Sequence, residues 1–287
     1  MISKSDGDEL TDDALTGGFR LYQRRRGHRY SLDDVLTAYQ ALQVCPRPRR
    51  CLDLGCGIGS VLLMVAYKCP EAELVGIEAQ SQSFALAERN VRRNGVDGRV
   101  RLLAGDLRDP SRVAAAAPPF DLVTGTPPYQ PKGMGTPSPD SQRAHARVEL
   151  RGGVECYLKA AAAAVADDGY VVVCADARHP ERVWAGASEA GLHPVAELQA
   201  VPSVRKGALF TVWVLQRRPS QEFRRLPDFV ARDRAGQRTA AYQDVRAFFD
   251  FEPPTAEAPS PPQRVRQGQG GPASHGERAA EGSQHEQ

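Results

Sequence analysis

The stretch Asp53-Leu54-Gly55-Cys56-Gly57-Ile58-Gly59 decides the fold of this chain. It separates a short apolar run at residues 51–54 from a helical pattern at residues 60–68. Its three alternating glycines allow a tight turn and bring the backbone close to a ligand. A strand, a glycine-rich turn and a helix in this order predict the first unit of an α/β fold that binds its ligand at the turn.

Apolar runs and amphipathic stretches continue to alternate along the chain. Helices of about 10–15 residues between short strands favour a mostly parallel sheet that is covered on both faces. Ligands of such sheets bind at the carboxyl ends of the strands. We predict further strands at residues 73–77, 100–103, 120–124, 170–174, 195–198 and 209–216, and further helices at residues 81–93, 153–166 and 180–190.

Acidic residues follow three consecutive predicted strands, at Asp53, Glu78 and Asp106. Glu78 comes about twenty residues after the turn, where a carboxylate accepts hydrogen bonds from both hydroxyls of an adenosine ribose. Asp53 would repel a pyrophosphate, but it suits the cationic end of S-adenosylmethionine, and Asp106 is placed to meet the adenine amine. We therefore predict an S-adenosylmethionine site. A purely structural turn and a nicotinamide dinucleotide site are the alternatives.

A second motif, Thr126-Pro127-Pro128-Tyr129, follows the fourth predicted strand. The two prolines fix the backbone and leave carbonyl oxygens free to accept hydrogen bonds. An exocyclic amine becomes nucleophilic when acceptors engage its N–H bonds, and the Pro127 carbonyl is one candidate. Tyr129 can stack on a base that is turned out of its stack. We interpret these four residues as the catalytic segment, with a rigid exit from the strand as the alternative.

Together these motifs resemble those of the class I S-adenosylmethionine-dependent methyltransferases. The resemblance implies a Rossmann-like, mostly parallel sheet of seven strands with helices on both faces, ending in an antiparallel hairpin. Thr126-Pro127-Pro128-Tyr129 is similar to the Asn/Asp-Pro-Pro-Tyr motif of the members that methylate amino groups. The chain departs from that motif at Thr126, whose hydroxyl can accept a hydrogen bond but has a shorter reach.

Flanking segments resemble one branch, the bacterial enzymes that methylate N6 of adenosine 37 in a valine tRNA. Tyr30-Ser31-Leu32-Asp33-Asp34-Val35-Leu36 is similar to the branch's F-S-L-D-A-V-L-L segment near the cofactor, with Asp33 as the matching acid. Residues 76–80, 146–149 and 226–230 resemble its G-V-E-x-Q, A-R-H-E and closing blocks, with Val148 in place of the histidine. The likeness covers residues 17–250 and implies cofactor contacts at Asp33, Asp53, Gly55, Gly57, Gly59, Glu78 and Asp106.

Charge and composition limit the partners. The formal net charge of +2 gives no overall basic field, so RNA would need a local patch, for which Arg147, Arg205 and Lys206 are our candidates. The histidines and the six cysteines lack metal-ligand spacing, and we expect no metal. No apolar run approaches the roughly 18–20 residues that span a bilayer. We expect a cytoplasmic protein without membrane contact.

Three regions differ in composition. Residues 1–16 are polar and predict a flexible lead, and residues 17–250 predict the methyltransferase domain. Residues 251–287 have almost no large apolar side chains and predict a disordered tail, because such a segment cannot offset the entropy lost on ordering.

Three functions fit these patterns. The leading hypothesis is methyl transfer from S-adenosylmethionine to the N6 amine of an adenine in structured RNA, with tRNA as the expected partner. The second is methylation of a glutamine side-chain amide in a protein, for which a similar Asn-Pro-Pro-Tyr motif serves. That function calls for a protein-docking domain, and a lead of 16 residues is short for one. The third is a cofactor- and RNA-binding module that turns over weakly because Thr126 replaces asparagine.

Overall fold

A central sheet of nine strands carries the fold in the computed structural model, which describes residues 9–133, 138–219 and 222–251. A separate two-stranded hairpin packs beside it. The hairpin strands are β1 (Leu10–Thr16) and β2 (Phe19–Arg24), and the sheet strands are β3 (Arg50–Leu54), β4 (Glu73–Glu78), β5 (Val100–Ala104), β6 (Phe120–Gly125), β7 (Val165–Asp176), β8 (His193–Val201), β9 (Phe210–Gln216), β10 (Arg224–Arg225) and β11 (Phe229–Val230).

Helices cover both faces of the sheet, as predicted. Their bounds are α1 (Leu32–Val44), α2 (Ser60–Lys68), α3 (Ser81–Arg93), α4 (Pro110–Ala115), α5 (Ser141–Arg147), α6 (Val154–Ala162), α7 (Pro180–Ala190) and α8 (Ala240–Phe248). The first apolar core lies between the sheet and α1, α2, α3 and α8, together with the hairpin. The second core lies between the opposite face and α4, α6 and α7.

The order of the strands places a crevice in the middle of the sheet. Adjacent strands run β8-β9-β7-β6-β3-β4-β5, and the short β10 and β11 pair with β8. β9 is antiparallel to both of its neighbours, whereas the remaining pairs are parallel. The predicted seven-stranded sheet and its closing hairpin are thus confirmed, with two short strands added at one edge. The direction of winding changes at β3, between β4 and β6, where ligands of such sheets bind.

Three of the four predicted helices have the observed bounds, the fourth is shorter, and α1, α4, α5 and α8 were not predicted. The helix predicted at residues 153–166 is shorter, because α6 ends at Ala162 and the chain enters β7 at Val165. A continuous alanine-rich stretch carries no signal for that boundary. α1 lies outside the predicted helices and begins after Ser31, whose backbone N–H donates to Oδ2 of Asp34 at 2.9 Å. This contact is the return half of a capping box.

The predicted flexible lead is wrong over residues 10–16, which form β1. Its polar side chains find partners: Asp13 accepts a hydrogen bond from Arg29 at 2.9 Å. The hairpin also packs on α3, where Oδ1 of Asn90 accepts the backbone N–H of Tyr22 at 2.7 Å. Polar residues at these positions therefore mark a hydrogen-bonded surface strand.

The ends of the chain limit what can be compared with the prediction. Residues 1–8 of the lead and residues 252–287 of the tail lie outside the described residues. Phe251, placed in the tail by the prediction, packs against the first core, and its backbone N–H donates to the carbonyl of Arg246 at 2.9 Å. In the ranges that the structure describes, no helix is long and apolar enough to cross a membrane.

Candidate active site

A cavity occupies the crevice at the carboxyl ends of β3, β4 and β6. It is partly open to solvent, as expected of a crevice at the carboxyl edge of such a sheet. Its wall combines the glycine turn after β3, the end of β4, the loop after β5 and the segment after β6. The wall includes Asp34, Gly55, Gly57, Glu78, Asp106, Thr126, Pro128 and Tyr157.

A buried tyrosine from α6 supports the glycine turn. Gly55 has a φ of +62°, and a Cβ at this residue would lie 2.3 Å from Oη of Tyr157. A Cβ at Gly125 would lie 2.7 Å from Cδ1 of the same ring. Only glycine fits at both positions, since the ring is packed under the turn and 9% exposed. No sequence motif marks Tyr157 as part of the cavity.

The other glycines of the turn have different places. Gly57, with a φ of +57°, lines the cavity, as predicted for a ligand contact. Gly59, with a φ of +89°, is the N-cap of α2 and does not appear among the described residues of the cavity wall. Its carbonyl accepts the N–H of Leu63 at 2.9 Å, so it serves to start the helix.

Glu78 ends β4 with its carboxylate against the glycine turn. Oε2 accepts the backbone N–H of Gly57 at 2.9 Å, and Oε1 accepts that of Gln80 at 2.6 Å. Burial raises the pKa of this carboxyl, and the two backbone donors act in the opposite direction. Each carboxylate oxygen has more than one lone pair, so Glu78 can still accept two hydroxyl donors from the cavity.

Asp53, for which we predicted a contact with the cationic end of the ligand, directly or through water, lies behind the cavity wall. Its neighbour in register on β6 is Thr124, whose hydroxyl donates to Oδ1 of Asp53 at 2.8 Å. The side chain is 3% exposed, and burial raises its pKa to about 7. The pleat of β3 turns the carboxyl toward β6, and among the described residues Asp53 does not line the cavity.

Asp34 of α1 lines the cavity, whereas Asp33, for which we predicted a cofactor contact, is not among the described residues of its wall. Successive residues of a helix point about 100° apart, and here Asp33 accepts a hydrogen bond from the hydroxyl of Ser31. Asp34 lines the cavity, where its Oδ1 accepts the hydroxyl of Thr126 at 3.4 Å. Burial, and then the negative charge of Asp33, raise the pKa of Asp34 to about 8. A motif match cannot reveal which of two adjacent acids faces the ligand.

Asp106 lines the cavity after β5, as predicted. Arg108 holds its carboxylate through a salt bridge of 2.7 Å and through a backbone N–H at 2.9 Å. The side-chain hydrogen bond from Arg108 is the main cause that lowers the pKa of Asp106. Asp106 is therefore an ionised acid of fixed orientation on the cavity wall.

The segment Thr126–Tyr129 is shared between two cavities. Thr126 and Pro128 line the main cavity, whereas Pro127, Pro128 and Tyr129 line a neighbouring cavity of about 230 Å³. Tyr129 is half-buried, and burial raises the pKa of its phenol. Pro128 is the wall that the two cavities share.

Ion pairs border this neighbouring cavity. Arg182 of α7 contacts Glu149 at 2.6 Å and Glu155 of α6 at 2.6 Å. Glu149 belongs to the segment that resembles A-R-H-E, and Val148 beside it is buried. The glutamate therefore links the loop after α5 to two helices of the scaffold.

The predicted RNA contacts lie at the ligand edge of the sheet. Arg147 is exposed at the end of α5, next to His145 and Ala146 of the cavity wall. Arg205 and Lys206 are exposed in the loop that follows the carboxyl end of β8. β8 and β7 are both antiparallel to β9 and hence parallel to each other, so this loop lies at the same edge of the sheet. Among the described residues, no group of His, Cys, Asp or Glu is arranged to hold a metal.

A buried amide that no motif predicts joins three segments around the main cavity. Gln142 of α5 is 0% exposed. Its Oε1 accepts the backbone N–H of His28 at 3.2 Å, and its Nε2 donates to the hydroxyl of Ser83 at 3.1 Å. Both partners line the cavity. The three residues are distant in sequence, so no local pattern could identify them.

Known proteins share the core of this chain. Residues 36–138 match the family model of the methyltransferase small domain. The release factor glutamine methyltransferase of Geobacter sulfurreducens is 33% identical over 122 residues, which cover 42% of this chain and 41% of that protein. The tRNA1(Val) (adenine(37)-N6)-methyltransferase of Porphyromonas gingivalis is 34% identical over 103 residues, which cover 36% of this chain and 40% of that protein. The chain thus matches about two fifths of the length of these relatives.

A solved structure matches over most of the chain. A protein described as a predicted O-methyltransferase, from Agrobacterium tumefaciens, aligns with a TM-score of 0.56 at 18% identity, covering 76% of this chain and 96% of its own. This likeness concerns the fold, and it agrees with the strand order described above. The predicted Rossmann-like fold of the class I methyltransferases is confirmed, and residues 36–138 within that fold match the model of the methyltransferase small domain.

Proposed function

We propose that this protein is an S-adenosylmethionine-dependent methyltransferase whose substrate is the N6 amine of an adenine in RNA. The observation that carries the proposal is the position of Thr126 and Pro128 on the wall of the same cavity as Glu78 and the glycine turn. The carboxylate that we assign to the cofactor and the segment that we assign to the substrate amine therefore line one cavity, where cofactor and amine could meet.

The residues of the main cavity suit the cofactor. Glu78 is the acceptor for the two ribose hydroxyls, and the turn at Gly57 admits close approach, since a Cβ there would meet nothing within 4 Å. Asp106 offers an ionised acceptor for the adenine amine. Asp34, with Asp53 behind it, suits a cationic ligand, because a nearby positive charge would favour the ionised form of both carboxyls.

When bound, the cofactor supplies an electrophilic methyl group on a sulfonium. Glu78, Gly57 and Asp106 would hold the cofactor so that this methyl group can pass to the lone pair of the substrate nitrogen, which would release one proton to solvent. The hydroxyl of Thr126 donates a hydrogen bond to Asp34, so the lone pairs of Oγ1 are available to accept a hydrogen bond from the amine. Acceptors fixed in this way stabilise the developing charge on nitrogen without reorganisation during the reaction.

Three observations favour an RNA adenine as the substrate. Relatives named as tRNA adenine-N6 methyltransferases match the core of the chain. Arg147, Arg205 and Lys206 place positive charge at the ligand edge, where phosphates can be contacted. Tyr129 follows directly on Pro128 of the cofactor cavity wall, and its ring is an aromatic surface on which a base turned out of its stack could be held.

A protein glutamine amide is the second candidate. Relatives named as release factor glutamine methyltransferases match the same core, at 33% identity in one case and 38% in another. A glutamine amide, like an adenine amine, has a delocalised lone pair and two N–H bonds, so Thr126 and its neighbours would serve either group.

Transfer of a labelled methyl group separates these functions. RNA and protein are extracted from a strain that lacks this gene and are offered separately to the purified full-length chain with methyl-labelled S-adenosylmethionine. Label in RNA alone supports the proposal, and label in protein alone supports the glutamine function. Tight cofactor binding without label in either fraction would favour a binding module and would contradict both enzymatic proposals.

A further inference from the structure

Asp34 and Thr126 meet at the wall of the main cavity, although α1 and the segment after β6 are far apart in the chain. The hydroxyl of Thr126 donates to Oδ1 of Asp34 at 3.4 Å, and both residues line the cavity. A carboxyl oxygen thus lies beside the position proposed to receive the amine of the substrate.

The two oxygens of Asp34 have different surroundings. Oδ2 accepts the backbone N–H of Ser31 at 2.9 Å and so completes the cap of α1. Oδ1 accepts the hydroxyl of Thr126, and the side chain of Ser60 also contacts the carboxyl, but neither contact belongs to the cap. Acids in the first turn of a helix are usually solvated, whereas Asp34 is 5% exposed. Helix capping alone therefore does not account for the placement of this side chain.

Burying an acid without a cation costs stability. Among the described residues no lysine or arginine forms an ion pair with Asp34, and the charged groups that act on it, Asp33 and Asp53, are acids as well. These surroundings raise the pKa of the carboxyl to about 8. A strongly perturbed acid that lines a cavity is a candidate functional group.

We propose that Oδ1 of Asp34 is a second acceptor for the amine of the substrate, beside the hydroxyl of Thr126. An exocyclic amine has two N–H bonds, and an acceptor on each favours its nucleophilic form. The hydroxyl of Thr126 supplies one acceptor with a shorter reach than an asparagine amide, and Asp34 supplies the other. This assignment rests on the proposed function, because it takes an amino group as the methyl acceptor.

The test compares adenosine with purine riboside, which lacks only the 6-amino group, on the full-length chain saturated with S-adenosylhomocysteine. NMR titration gives the two dissociation constants. At pH 9, where the Asp34 carboxyl is mostly ionised, the wild type should bind adenosine about 10-fold more tightly than purine riboside, the scale of one charge-assisted hydrogen bond. In Asp34→Ala the ratio of the dissociation constant of purine riboside to that of adenosine, called the adenosine ratio below, should fall to within about 2-fold of unity. The affinity for S-adenosylhomocysteine should change by less than about 2-fold.

Two further variants show whether the loss is specific. Asp34→Ala combined with Thr126→Asn recreates the arrangement of the branch motifs and should return the ratio to about 10-fold. Asp97→Ala removes an exposed aspartate between α3 and β5, away from the cavity, and should leave the ratio unchanged.

The pH dependence of the ratio keeps the proposal testable even if Asp34→Ala folds poorly. An ionised carboxylate accepts more strongly than a neutral acid, so the wild-type ratio should rise from about pH 6 to about pH 9. Asp34→Asn retains an acceptor for Ser31 but does not titrate, and its ratio should stay flat. The other ionisable groups that interact with Asp34 remain in this variant: Asp33, Asp53, the Cys174 thiol and the Tyr129 phenol.

The outcomes separate this assignment from the proposed function. An unchanged adenosine ratio in Asp34→Ala would overturn the assignment and leave the adenine substrate intact. If Asp34→Ala kept the adenosine ratio but bound S-adenosylhomocysteine more weakly, Asp34 would lie at the amino group of the cofactor. This result would also overturn the assignment. A wild type that does not prefer adenosine over purine riboside would overturn the adenine substrate and, with it, the assignment.

Discussion

The backbone N–H of Gly57 donates to Oε2 of Glu78 at 2.9 Å, so the turn after β3 and the end of β4 hold each other in place. A carboxylate fixed in this way has little side-chain freedom left to lose when hydroxyl donors approach. The same contact therefore stabilises the turn and prepares the acceptor that we assign to the cofactor ribose.

Glu78→Ala should weaken the binding of S-adenosylmethionine by about 10–100-fold, or roughly 1.5–3 kcal/mol, because two hydrogen bonds to a charged acceptor are lost. Titration calorimetry measures the change. Glu73→Ala is the matched control, since Glu73 is exposed at the opposite end of the same strand and should leave the affinity unchanged. Equal affinities of Glu78→Ala and the wild type, or tight binding of NAD by the wild type, would refute the site.

Gly55→Ala should destabilise the fold more than Gly57→Ala. Both residues have a positive φ, so both substitutions carry a similar backbone penalty of about 1 kcal/mol. Only the Cβ at Gly55 meets Tyr157, at 2.3 Å from Oη, whereas the Cβ at Gly57 meets nothing within 4 Å. Overpacking of this kind costs a further ~1–3 kcal/mol.

Thermal denaturation of the two alanine variants tests this difference. Tyr157→Phe removes the hydroxyl in the clash, so the double variant with Gly55→Ala should melt at a higher temperature than Gly55→Ala alone. Identical melting temperatures for Gly55→Ala and Gly57→Ala would show that Tyr157 does not restrict the turn.

The buried acids Asp34 and Asp53 should make the fold less stable as the pH rises. Their pKa values are raised from 3.8 to about 8 and about 7, so the folded chain keeps protons that the unfolded chain has released. The linkage relation then gives a contribution that is complete below about pH 4 and is lost as the pH rises through the folded values, toward pH 8.

Melting temperatures at pH 5 and pH 8 measure this loss. The advantage of the wild type over Asp34→Asn should decrease between the two values, because the variant cannot titrate at this position. Asp97→Asn, an exposed control, should follow the wild type at both. Parallel profiles for Asp34→Asn and the wild type would mean that Asp34 does not titrate in this range.

RNA affinity should fall steeply with salt, because contacts to phosphates release counterions. Arg147→Ala and Lys206→Ala should each reduce the slope of log K against log salt by about 1. Arg92→Ala is the control, because Arg92 is exposed near the end of α3, at the opposite edge of the sheet. Binding that does not change between low and physiological salt would speak against RNA and for a protein or small-molecule substrate.

Local signals in the sequence were sufficient for the central sheet. The turn at Gly55–Gly59 and the acid at Glu78 follow from backbone and charge requirements that adjacent residues satisfy, and α2, α3 and α7 have the predicted bounds. The hairpin of β1 and β2 was not predictable in the same way, because its polar residues are stabilised by partners such as Asn90, far along the chain.

For the same reason the sequence could predict some of the site residues and not others. Glu78 and Thr126 lie where their strands end, so their position follows from the strand pattern. Which of Asp33 and Asp34 lines the cavity depends on the rotation of α1 about its axis. The position of Asp53 behind the cavity wall depends on its register with Thr124. Gln142 and Tyr157 reach the site only through tertiary packing.

The most direct test of the central claim is the identity of the methylated product. The full-length chain is incubated with methyl-labelled S-adenosylmethionine and unmodified tRNA transcripts, and the RNA is digested to nucleosides that are separated by chromatography. The account predicts that the label elutes with N6-methyladenosine. Label in any other nucleoside, or label that appears only when protein is offered in place of RNA, would contradict it.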